Sequence, residues 1–98
     1  MGACDFTKIV KTEERDMRKA FIAAVQEAKY DHGHAGYSGT LAEKNTVIRM
    51  GEAKSPDAAH SLAYSLLDDS RVDDKWGPAG AIEFEDPHGW VFFGWASS

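Results

Sequence analysis

The chain has 98 residues, the size of one small domain, and 43% of them are apolar, which is enough for a folded core. Its net charge is −5, and the acidic excess lies in residues 50–98, which hold nine acidic and three basic side chains. An acidic chain without a basic stripe argues against direct binding to nucleic acid, and no apolar run approaches the roughly 20 residues of a membrane span. We therefore expect residues 1–98 to form a single domain that contacts neither nucleic acid nor a membrane.

Cys4 is the only cysteine in the sequence, which excludes an internal disulfide and a cysteine-rich zinc site. The first residues lack the apolar segment of a secretory signal peptide. We expect a cytoplasmic protein in which Cys4 is a small packed thiol near the first strand.

The first predicted elements are a strand and a long helix. Residues 4–10 alternate in part between apolar and polar side chains, which is typical of a strand. Thr12 is the predicted N-cap of the helix, and acidic residues follow it in the first turn. Apolar residues recur at helical spacing from Met17 to Ala28, which predicts a helix over about 13–31, with Gly33 placed to end it.

The middle of the chain contains a second strand region and a second helix. Residues 40–50 are predicted to form either one long strand or two short strands near 39–42 and 46–50. Ser55 and Pro56 are a typical N-cap and first helical residue. The apolar face of this second helix consists of Ala59, Leu62, Ala63, Leu66 and Leu67. The helix is predicted to end in the Asp-rich residues 68–74.

The last part of the chain has the pattern of a β-hairpin. Residues 81–85 alternate, with Ile82 and Phe84 predicted to point inward. Residues 86–89 have the composition of a type I turn, and residues 90–95 are apolar on both faces, as in a central or covered strand. The order of elements predicts the α+β class, with two amphipathic helices on one face of a mainly antiparallel sheet. If residues 39–50 form a hairpin, the order approximates a ferredoxin-like βαββαβ arrangement with one extra strand.

The loop after the first helix, within YDHGHAGYSGT at 30–40, is the first candidate site. Its backbone amides could bind a phosphate or nucleotide, with Tyr37 as a stacking surface, although the helix-to-strand order differs from that of known phosphate loops. Alternatively, His32 and His34 bind a metal together with Asp31 or His88, as in a metal-dependent hydrolase. The simplest interpretation is a turn in which glycines supply unusual backbone angles. The candidate residues of this loop are His32, Gly33, His34, Gly36, Tyr37, Ser38, Gly39 and Thr40.

Trp76, in the stretch WGPAG at 76–80, is the second candidate contact residue. Three tryptophans within the last 23 residues exceed what a small core requires, and exposed aromatic side chains suit protein–protein contact. We expect at least one of Trp90 and Trp95 to lie in the core. Glu83 and Glu85 are expected on the solvated face of a strand, and no arrangement typical of nucleophilic catalysis is present. The sequence therefore supports no catalytic residue, metal or cofactor.

Four stretches of the sequence resemble a family of small proteins encoded by tailed bacteriophages: MGACDF, HGHAGYSGT followed by LAEK, DKWGPAGAI, and GWVFFGWASS. The resemblance covers most of the chain and implies no enzymatic activity and no functional residue. It does imply a place in the cytoplasm of the bacterial host. Small acidic phage proteins often bind and inhibit a host enzyme or a defence system.

We consider three functions. The first is a non-enzymatic accessory protein that binds and inhibits a bacterial host or anti-phage defence protein through the glycine loop and Trp76. The second is a protein that sequesters a small ligand or nucleotide in loop 33–40, and the third is a metal-dependent hydrolase. We also expect a homodimer if the final strand lies at an edge of the sheet, where it could pair with its copy.

Overall fold

The computed structural model describes residues 3–32, 41, 44–85 and 87–97. They form four strands and two helices in the order β1 (Ala3–Lys11), α1 (Met17–His32), β2 (Val47–Ala53), α2 (Pro56–Ser65), β3 (Ala79–Phe84) and β4 (Gly89–Ser97). Neither of these helices is long and apolar enough to cross a membrane.

The four strands make one sheet in the order β1-β4-β3-β2. β4 pairs antiparallel with both β1 and β3, whereas β2 and β3 are parallel. The predicted hairpin and the central position of its second strand are therefore confirmed, and so is the mainly antiparallel sheet. The condition for a homodimer through the final strand, an edge position, is not met, because β4 has a partner on each side.

The two helices lie on opposite faces of the sheet. Neighbouring residues of a strand point to opposite faces, and those of β4 divide accordingly: Trp90 and Phe92 pack in a cluster with α1, whereas Val91 and Phe93 pack in a cluster with α2. The α+β class is thus confirmed, but the placement of both helices on one face is wrong.

Topology gives the physical reason for this arrangement. The pairing makes β1, β2 and β3 parallel to one another. α1 connects β1 to the far edge of the sheet, and α2 connects β2 back to its neighbour β3. Because parallel crossovers are right-handed in nearly all sheets, two crossovers that run in opposite directions place their helices on opposite faces.

α1 begins at Met17, four residues later than predicted. Asp16, and not Thr12, caps it: the Asp16 carboxylate accepts a hydrogen bond from the Lys19 amide at 3.0 Å. The Thr12 hydroxyl accepts from the amide of Glu14 at 3.1 Å, which forms a turn before the helix. Gly33, the predicted end of the helix, lies outside the described residues.

α2 begins as predicted, with the Ser55 hydroxyl accepting a hydrogen bond from the Ala58 amide at 3.2 Å. β2 covers 47–53, later than the predicted strand at 46–50. Of the predicted strand at 39–42, only Leu41 is described, and it lies in a 3₁₀ turn. The additional strand of a ferredoxin-like order therefore remains a prediction.

Two expectations about single side chains have opposite outcomes. Trp90 is fully buried beneath α1, as expected of at least one of the last two tryptophans. Cys4 is exposed, so the expectation of a packed thiol is wrong.

Candidate functional site

The predicted glycine loop lies largely outside the described residues. Gly33, His34, Gly36, Tyr37, Ser38, Gly39 and Thr40 are not described, and His32 is described only as the last residue of the α1 backbone. Nucleotide binding or metal binding by this loop therefore remains a prediction. Trp76 is the one predicted contact residue whose side chain is described.

Trp76 lies in a tight turn of residues 74–77, which we call the Trp76 turn. The Asp74 carboxylate accepts a hydrogen bond from the Trp76 amide at 2.9 Å. The backbone carbonyl of the same aspartate accepts from the amide of Gly77, also at 2.9 Å. Aspartate commonly stabilises turns through its own side chain in this way, so the sequence specifies the turn locally.

Lys44 fixes this turn from beneath. Its side chain is only 3% exposed, and its ammonium group donates to the carbonyl oxygens of Lys75 at 3.0 Å and Gly77 at 2.9 Å. The Asp74 carbonyl lies at 3.4 Å from the same nitrogen. A buried charge is costly unless hydrogen bonds replace its water, and the carbonyl groups of the Trp76 turn do so here. No local pattern in the sequence indicates this role of Lys44, since its partners lie about 30 residues away in the chain.

The turn presents the indole of Trp76 to solvent. The side chain is 64% exposed, and the Lys75 ammonium lies 5.5 Å from the centre of its ring. Residues 68–75 contribute four aspartates against one arginine and one lysine. The Trp76 turn is therefore a fixed aromatic projection that follows an acidic stretch of the chain.

A second group of polar side chains, the hairpin cluster, lies where β3 turns into β4. Arg49 donates to one carboxylate oxygen of Glu83 at 2.8 Å, and the other oxygen accepts from His88 at 2.7 Å. Arg15 holds both oxygens of Glu85, at 2.9 and 3.3 Å. Glu83 is half-buried and fully engaged, so the prediction that it is a solvated strand residue is wrong.

His88 carries a positive charge in this cluster. Its Nδ1 lies 2.6 Å from the carbonyl oxygen of Thr12, and its Nε2 lies 2.7 Å from the Glu83 carboxylate. Both partners are acceptors, so both ring nitrogens must donate, which requires the imidazolium form. Burial disfavours that charge, but the hydrogen bonds to Glu83 and Thr12 outweigh it and raise the pKa of His88. The hydrogen bonds from His88 and Arg49 in turn lower the pKa of Glu83.

The hairpin cluster is better suited to holding the fold together than to catalysis. Ligand atoms of Glu83, Glu85 and His88 lie within 4.8 Å of one another, a spacing compatible with a divalent cation. Arg15 and Arg49 already neutralise these carboxylates, and a metal would have to displace them and the His88 proton. The cluster instead links the segment between β1 and α1, through Thr12 and Arg15, to β2 and to the β3–β4 hairpin. His88, suggested as a metal ligand with His32 and His34, makes these contacts in the structure.

Comparisons with known proteins give no match to a family model, to a curated protein or to a solved structure. The resemblance to phage proteins therefore remains a prediction.

Proposed function

We propose that this chain is a small non-enzymatic interaction protein whose Trp76 turn inserts into a pocket of a partner protein. The observation that carries the proposal is a tryptophan 64% exposed on a turn that a buried lysine holds in place. Tryptophan is the side chain most enriched among residues that dominate binding energy. A turn that is already ordered loses little entropy on binding, so more of the contact energy appears as affinity.

The charge around Trp76 indicates the partner's surface. Trp76 directly follows residues 68–75, which carry four aspartates against one arginine and one lysine. This suits an apolar pocket with a basic rim. Following the resemblance to phage proteins, we propose a bacterial host or anti-phage defence protein as the partner, with inhibition as the outcome and the bacterial cytoplasm as the location. A basic rim is common on proteins that handle nucleic acid.

The test is affinity capture from bacterial lysate with three baits: wild type, Trp76→Ala and Tyr64→Ala. Tyr64 is a matched control, because it is 54% exposed on the surface of α2. We expect a protein that wild type and Tyr64→Ala retain and Trp76→Ala loses, with retention that weakens as salt increases. Circular dichroism of each bait verifies that the fold is unchanged.

Capture of the same proteins by Trp76→Ala and wild type would refute the role of the turn. If nothing is enriched over a bait-free control, the interaction function itself fails. Native mass spectrometry of the purified chain then tests the alternative, a nucleotide retained by residues 33–40.

A further inference from the structure

The two edges of the sheet differ in how they are protected. At the β2 edge the pairing register shifts between Arg49 and Gly51, and such a bulge disrupts an edge as a template for another strand. β1, at the other edge, pairs with β4 over nine residues without any shift, from Ala3↔Ser97 to Lys11↔Gly89. Within the described part of the chain, no strand pairs with the outer side of β1. A long regular edge of this kind is a ready template for a further strand.

The sequence of β1 is complementary to itself in one antiparallel register. In a symmetric antiparallel pair of strands, a two-fold axis perpendicular to the sheet passes midway between the two copies of one residue. Residues equally far before and after that residue then face each other across the pair. With the axis at Lys8, three kinds of facing pair arise: Asp5 with Lys11, Phe6 with Val10, and Thr7 with Ile9. Each kind occurs twice, so that opposite charges, apolar side chains and β-branched side chains are matched.

The neighbouring symmetric register is less favourable. With the axis at Thr7, Phe6 faces Lys8 and Asp5 faces Ile9, which places a charge opposite an apolar side chain at both positions. We therefore propose that two copies of this chain pair through β1 with the axis at Lys8, which joins two four-stranded sheets into one continuous sheet. This inference is independent of the Trp76 turn, which lies beside β2 and β3 and away from β1.

Exposure of the β1 side chains agrees with this pairing. Asp5 and Lys11 are exposed, and Ile9 is 39% exposed although it is a large apolar residue. Phe6 and Val10 are only partly buried against the cluster beneath α1. A second β1 would cover the remaining surface of these apolar side chains.

The proposed axis brings the two copies of Lys8 together. In each copy the Lys8 ammonium lies 3.7 Å from the carboxylate of Glu27 on α1. The dimer therefore contains two lysines and two glutamates at its centre, with balanced charge. Because these side chains are well exposed, their attraction is weak and sensitive to salt.

The test is sedimentation equilibrium of wild type and charge-reversed variants over a range of concentrations. Wild type is expected to dimerise. Asp5→Lys and Lys11→Asp each convert two attractive pairs into two repulsive ones, and each should raise the dimer dissociation constant by about tenfold. The double variant Asp5→Lys/Lys11→Asp restores both attractions and should return to the wild-type constant.

Mixing the two single variants gives the sharpest result. In the mixed dimer, the lysine introduced at position 5 of one copy would face the aspartate introduced at position 11 of the other, while the native Asp5 faces the native Lys11. Association should therefore recover, although neither variant associates well alone. Both positions are exposed, and thermal unfolding of each variant verifies that the fold is intact. A wild-type chain that stays monomeric at millimolar concentration would refute the dimer, and a dimer unaffected by either reversal would refute this register.

Discussion

Replacing Lys44 by methionine tests whether a buried charge holds the Trp76 turn. The substitution keeps an apolar side chain of similar length but removes the donor to the carbonyls of Lys75 and Gly77, at 3.0 and 2.9 Å. Each hydrogen bond to a charged group contributes about 1.5–3 kcal/mol. The loss is partly offset, because the ammonium no longer has to be desolvated and the carbonyls of a surface turn can reach water. We expect a net decrease in the free energy of unfolding of about 2 kcal/mol.

Urea unfolding followed by circular dichroism measures this change. With a dependence of about 1–1.5 kcal/mol per molar urea for a chain of this size, the midpoint should fall by about 1.3–2 M. The matched control is Lys54→Met, an exposed lysine whose replacement should change stability by less than about 0.5 kcal/mol. Amide hydrogen exchange at Gly77, whose N–H donates to Asp74, should also accelerate in Lys44→Met. Equal midpoints for the two variants would refute the argument that the ammonium holds the turn.

Three further predictions concern the hairpin cluster, the core and the start of α2. The pKa of His88 is raised above its ordinary 6.5, so its stabilisation is complete below about pH 6.5 and is lost as the pH rises through the folded-state value. The urea midpoint of wild type should therefore fall with rising pH in this range more steeply than that of His88→Gln, and parallel curves would argue against a charged His88. In Gly80→Ala the new methyl group would lie 2.5 Å from the Phe93 ring, and overpacking should lower stability by about 1–3 kcal/mol, whereas Gly51→Ala has room and should change it far less; calorimetry compares the two. Ser55→Ala removes the N-cap of α2 and should cost about 1 kcal/mol in the same assay; unchanged stability would contradict the capping role of Ser55.

Elements with local signals were predictable from the sequence. Ser55 followed by Pro56 specifies the start of α2 through contacts within one turn, and alternation followed by turn residues specifies the β3–β4 hairpin. The start of α1 was not predictable in this way. The indole of Trp90 donates to the carbonyl of Glu14 at 2.9 Å, and the amide of Thr12 donates to the carbonyl of His88 at 3.1 Å. These long-range hydrogen bonds hold residues 12–16 against the hairpin, so that α1 begins only at Met17.

The residues of the candidate site also differ in how far the sequence predicts them. Composition alone pointed to Trp76 as a candidate contact residue, because a tryptophan among turn residues close to two further tryptophans is unusual. The structure shows that its side chain is exposed. Nothing near Lys44 in the sequence indicates that its ammonium lies beneath a turn at 74–77. The alternation of β3 placed Glu83 on a polar face, but its partner Arg49 reaches it only because β2 pairs alongside β3. Such contacts depend on strand pairing, which local patterns do not specify.

The central position of β4 also determines the order in which the fold can be completed. Among the described strands β1 pairs only with β4, so during synthesis β1 must wait for β4, which is made about 80 residues later. At a synthesis rate of about 5–20 residues per second, that interval lasts several seconds. Throughout it the backbone of β1 lacks its only partner within the described chain, and Phe6, Ile9 and Val10 have no sheet to pack on. Chaperone binding and aggregation of nascent chains should therefore concentrate on β1. A ribosome that stalls before Gly89 leaves a product in which β1 lacks the strand that it pairs with.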